Sequence, residues 1–259
     1  MAPVPTQEAK HMALRSGNPT LNAKTFEKFG AGVAGETMSV EGAINKSGFL
    51  LFLLVTAAAW PWWGFFLSGG AADMTAYILG GALGGFAVAL LTIFNKPLAR
   101  VTAPIYALLE GLALGALSAL MELRYPGIVM QAVALTFGTL AAMLVLYRIG
   151  VIRASERFKA IVCAATGAIG LFYIVALGLR FIGIPVPLIH EASTIGILFS
   201  LFVVTVAALN LIIDFDFIEG GVEAGAPKVA EWYAAFALMV TLVWLYLEIL
   251  RLLSKLRRR

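Results

Sequence analysis

The sequence predicts an all-α integral membrane protein that crosses the bilayer seven times. Three observations carry this. The chain is 61% hydrophobic and 13% charged, where soluble domains carry roughly a quarter charged residues. Its mean hydropathy is +0.91, a composition that belongs in lipid. Its apolar residues also gather into seven stretches of about 20 residues, the length a helix needs to cross the hydrocarbon core. Backbone groups there have no water to bond, so each stretch must close its own hydrogen bonds as a helix.

The first stretch, residues 48–69, holds "AWPWW" with Pro61 inside it and ends at "SGG". The second, 74–94, carries Gly80, Gly81, Gly84 and Gly85, small residues that let helices approach closely, and stops at "NKP". The third, 101–122, has Gly111 and Gly115 four apart and ends at "RYPG"; the fourth, 127–147, is closed by "RASER". The fifth, 159–182, contains Ala164 and Ala168 and ends before "GIPVP". The sixth, 189–213, runs into "NLIIDFDFIEGGVEAG", and the seventh covers 230–253. Residues 1–45 form a polar arm ahead of a membrane domain spanning 46–259. The arm has no apolar core of signal-peptide length, so no cleavable leader is expected.

Loop charge gives the orientation. The arm and the joints on its side carry twelve Lys and Arg, against seven on the other side. The arm is therefore expected in the cytoplasm. Five of the seven opposing charges lie in the tail (Arg251, Lys255, Arg257, Arg258 and Arg259), which by the same rule favours a cytoplasmic C-terminus. One re-entrant segment would reconcile the two.

Several chemistries are excluded. The lone Cys163 supports neither a disulfide frame nor a thiolate metal site, and His11 and His190 cannot make an all-His site. "HEAST" lacks the second His of a zinc-protease helix, no nucleophile–base pairing marks a hydrolase, and no Gly-x-Gly-Asp motif marks an aspartyl protease in the membrane. The chain is read as a non-enzyme without a cofactor. The net charge of +4 is loop charge rather than a nucleic-acid surface.

The informative residues are the acids in the spans. Glu110 lies mid-way along the third, in "YALLEGLALGALSALME". An ionised carboxylate there costs about 2.5–3.5 kcal/mol, so it should face the protein interior. Asn210 and Asp214, four apart, share one face of the sixth helix. Asp216 is about 200° round from Asp214 and points elsewhere, so Asp214 is expected to face inward. Glu219 and Glu223 are expected in a loop. Glu248, late in the seventh span, has Arg251 three residues on as a pairing partner; Glu231 starts that span. With Asp214 reaching inward, Asp216, Glu219 and Glu223 are expected to give the cytoplasmic mouth a negative, cation-attracting field.

The arm "RSGNPTLNAKTFE", the third-span "EGLALGALS", "IIDFDFIE" and "WYAAFALMVTLVWLYLEILRLL" resemble the Bax inhibitor-1 family, in its bacterial YccA-like branch. The resemblance implies six helices around a central seventh in a bacterial inner membrane. It also implies two acids, one on each of the last two spans, acting as a pH-sensitive latch on a calcium leak. The sixth-span acid falls on Asp214 or Asp216. The seventh-span acid falls on Glu248, where Glu replaces the family's Asp. Depth favours Glu231 instead: at 1.5 Å per residue Glu248 lies roughly 30 Å from the turn between the sixth and seventh spans and Asp214 about 10–15 Å. A Ca²⁺ ion would be met near Asp214, since hard cations take oxygen ligands. The alternative function is a non-transporting regulator that binds another membrane protein, such as a protease or secretion component. A secondary transporter would need spans broken at matching places, which the sequence does not display.

Single cysteines at Ser16, Ser155 and Ala72, in a Cys163→Ala background, test the orientation. Ser16 and Ser155 should be shielded from an impermeant thiol reagent in intact cells, and Ala72 labelled. Labelling of Ser16 from outside reverses the orientation.

Overall fold

The structure is a computed structural model and describes residues 37–183 and 193–258. The arm up to residue 36, "GIPVP" beyond Gly183 and His190–Glu191 lie outside the described residues. Seven helices long and apolar enough to cross a membrane are present among them. They are α1 (Val40–Leu67), α2 (Thr75–Phe94), α3 (Ala99–Arg124), α4 (Ile128–Arg148), α5 (Glu156–Phe181), α6 (Thr194–Glu223) and α7 (Ala230–Arg257), with a 3-10 turn at Lys96–Leu98. The seventh is the most enclosed, with 61% of its most apolar window buried against 17% for α1, α2 and α5.

Two helices overrun their apolar windows. α1 starts at Val40 because Ser39, in extended conformation, caps it: its Oγ accepts from Gly42 N at 3.0 Å. α6 continues to Glu223, so Glu219 and Glu223 are helical and not in the expected loop. No proline interrupts that segment, and the chain turns only at Gly225, whose φ of +64° lies in the left-handed region. Pro61 sits inside α1 without ending it.

The chain forms two compact units, each with its own packing. Within the described residues, one comprises 37–129 and 218–240 and holds α1 to α3 and the beginning of α7. There α3 packs along both α1 and α2. A Cβ at Gly111 or Gly115 would collide with the backbone carbonyls of Leu54 and Ala58, and one at Gly81 would lie 2.5 Å from Leu109 O. Gly80 has open space before it. Tyr106 packs edge-on against Phe236, ring centroids 5.2 Å apart. The other unit comprises 130–183, 193–217 and 241–258. Its core joins Ile169, Val203 and Val206 to Tyr173, Phe199 and Trp244. Ala164 and Ala168 of α5 remain exposed, so that small pair serves no helix contact among the described residues.

Backbone carbonyls cannot yield as a flexible side chain does. Gly115→Ala should therefore lower stability by about 1–3 kcal/mol, measured by thermal unfolding in detergent, while Gly80→Ala should cost nothing. Equal effects of the two would show that α1 and α3 do not touch at Gly115.

Candidate functional site

The buried charges sit at helix ends and on inward helix faces. In the first unit, Glu231 occupies the opening turn of α7 and is 0% exposed. Lys46, in the second turn of the capped end of α1, forms an ion pair with its Oε2. Ser39 donates to Oε1 through N at 2.9 Å and Oγ at 3.1 Å. Gly42 is required beside it, because a Cβ there would strike the carboxylate. Lys46 also lies over the Trp232 ring, 5.5 Å from its centroid. Two backbone links reinforce this junction: Met38 N donates to Ala226 O at 2.7 Å, and Thr37 bridges Pro227. Glu231 thus ties the entrance of α1 to the α6–α7 turn.

Glu110, in the same unit, is half-buried on α3. Its Oε2 rests against Gly85 of α2, at 2.7 Å from where a Cβ would stand. No cation meets it among the described residues.

In the second unit, α6 carries Asn210 and Asp214 on one buried face, with Asp214 1% exposed. Asn210 Nδ2 donates to Thr166 Oγ1 of α5 at 2.8 Å and to Val206 O at 2.9 Å. Asp216 is turned away, as the 100° helical step requires. Its side chain is 31% exposed and pairs with Lys159 of α5 at 2.7 Å, and Lys159 also reaches Glu156 at 3.3 Å.

Glu248, also in this unit, is buried on α7. Tyr173 Oη of α5 donates to its Oε1 at 3.0 Å. Arg251 Nη1 donates to both its oxygens at 2.8 and 2.9 Å. One turn on, Lys255 is buried too, with Nζ donating to Gly196 O at 2.9 Å and Ser200 Oγ at 2.8 Å, both on α6.

Among the described residues, each seventh-helix candidate acid has partners other than Asp214. The Glu248 carboxylate is taken up by Tyr173 and Arg251, and that of Glu231 by Lys46 and Ser39. Among the described residues no three of His, Cys, Asp and Glu converge as a metal-ligand group.

Sequence reasoning found the Glu248–Arg251 pair from its three-residue spacing. It missed Lys46, Tyr173 and Lys159 as partners. Only the Glu156–Lys159 spacing was readable, and Lys46 is 185 residues from Glu231.

A family model described as Bax inhibitor 1 like matches residues 18–258. No curated protein matches the chain, and no solved structure does.

Breaking a buried pair from one side leaves a charge without compensation. Lys46→Met should destabilise the protein by about 3–5 kcal/mol, and Lys46→Met/Glu231→Gln should recover most of that in chemical unfolding. Lys159→Met should cost under about 1 kcal/mol, since Asp216 keeps contact with water. A double variant as unstable as Lys46→Met would show that the pair does not hold the junction.

Proposed function

The chain belongs to the Bax inhibitor 1 like family, and on that basis we propose that it conducts a pH-sensitive cation leak, with Ca²⁺ as the cation. The setting is a bacterial inner membrane, with the arm on the cytoplasmic side, in the YccA-like branch. One observation carries the reading: α6, a membrane-spanning helix, buries the Asp214 carboxylate to 1% exposure. A carboxylate out of water holds its charge at a cost. Protons and hard cations then compete for the same oxygens. The protonated acid is neutral and can donate a hydrogen bond, whereas the ionised acid repels other carboxylates and attracts a passing cation.

The pH response needs a second titrating acid, and two are supported. Glu248 matches the family position and shares a compact unit with Asp214. Glu231 matches the depth estimate. Each is held by a cation, so a proton on either releases that cation and loosens a tie between helices. Glu110, half-buried in α3, is the remaining protonatable group proposed for the ion pathway.

The exposed stripe of Ala164, Gly167 and Ala168 on α5 favours the second reading, a regulator that docks a helix of a membrane protease or secretion component.

Purified protein in liposomes with ion-specific dyes, titrated from about pH 5 to about pH 8, separates the two. Wild type should show Ca²⁺ flux that changes with pH, and Asp214→Asn should flatten the profile. Asp216→Asn should keep it. Glu248→Gln should match Asp214→Asn if the family position is the partner, and Glu231→Gln should do so if depth decides. The same flat, low flux in wild type and every variant refutes the leak and leaves the regulator.

A further inference from the structure

The basic end of α7 enters the proposed leak only through Arg251, the counter-ion of Glu248. Between Glu248 and Arg259 the sequence has one acid and five basic residues. Arg251 is fixed by its neighbours on α5 and α7. It is held through one nitrogen alone: Nη1 serves both Glu248 oxygens and Tyr173 Oη. Its carbon Cζ stands over the Tyr173 ring, 5.0 Å from the centroid. The Nε and Nη2 hydrogens make no hydrogen bond among the described residues, and the side chain is 34% exposed. A guanidinium fixed on one edge and open on the other presents a pre-oriented fork of donors, the geometry that suits a phosphate.

The surroundings define the ligand further. Arg251 lies six residues before the end of α7, about 9 Å along the axis, a depth from which an Arg side chain reaches the headgroup level. Arg257 and Arg258 are exposed beyond it. On α5, Leu171 and Ile161, two and twelve residues before Tyr173 and so deeper in the membrane, are 63% and 70% exposed. Donors for an anion therefore sit above an apolar surface fit for acyl chains. Arg251 balances the Glu248 charge, and Arg257 and Arg258 beyond it supply the net positive charge.

We propose that Arg251 anchors the phosphate of an anionic phospholipid, whose headgroup is drawn in by the basic end of α7 and whose chains lie along α5. Every group invoked belongs to the second compact unit.

Native mass spectrometry of the full chain, released from detergent after incubation with phosphatidylglycerol or phosphatidylcholine, tests this. Wild type should retain phosphatidylglycerol in preference to phosphatidylcholine. Arg251→Gln should lower that preference about fivefold, the size expected for one cation at an anionic lipid surface. Arg148→Gln, which removes an exposed charge at the end of α4, should leave it unchanged. Should Arg251→Gln fail to fold with Glu248 left charged, Glu248→Gln/Arg251→Gln removes both charges together and should show the same loss. No preference in wild type, no loss in the folded Arg251 variant, or an equal loss in Arg148→Gln overturns the site. Displacement of the lipid by inorganic phosphate overturns it as well, because the fork would then bind a free anion.

Discussion

A charge taken out of water must be matched where it stands, and this requirement organises the chain. Glu231 is wholly enclosed, and the protein answers with Lys46, two donors from Ser39 and a glycine at position 42 to make room. Glu248 is answered by Arg251 and Tyr173. Lys159 is answered by Asp216 and Glu156. Such pairs add little net stability over apolar packing, since desolvation offsets most of the attraction. Their effect is to make one arrangement of helices much better than its neighbours, because a shifted helix would strand a charge.

The same requirement explains where helices end. α1 begins ahead of its apolar stretch so that Ser39 and Lys46 can meet Glu231, and the backbone of Met38 joins the α6–α7 turn. Hydropathy alone stops α6 at residue 213. Yet a helix closes its own hydrogen bonds whatever its side chains, and it ends where a left-handed glycine, Gly225, permits a turn.

The seven spans were legible because length and continuity are enough to identify a membrane helix. The opposed directions of Asp214 and Asp216 were legible because a 100° step per residue fixes them. Gly111 and Gly115 were legible as contacts, while Ala164 and Ala168 carried the same spacing and are exposed among the described residues. Small residues permit close approach without requiring it. The partners of the acids were not legible. Tyr173 is 75 residues from Glu248, and no local pattern links them. Lys46 reads as one more positive charge before the first span until the fold brings it to Glu231.

The two seventh-helix acids differ in what their protonation would undo. A neutral Glu231 keeps hydrogen bonds to Ser39 but loses its hold on Lys46, and with it a tie between α1 and the α6–α7 turn. A neutral Glu248 loses the charge that fixes Arg251, yet Tyr173 and Arg251 still touch, so α5 and α7 stay joined through the ring. The Glu231 junction rests on one ion pair in a fully enclosed site. The Glu248 cluster shares its charge with a phenol and with an Arg that partly faces outward. A proton therefore has the larger structural consequence at Glu231, where compensation is concentrated, and the smaller one at Glu248, where it is spread. A sensor built on Glu231 would act by releasing the entrance of the first helix; one built on Glu248 would act by redirecting a single guanidinium.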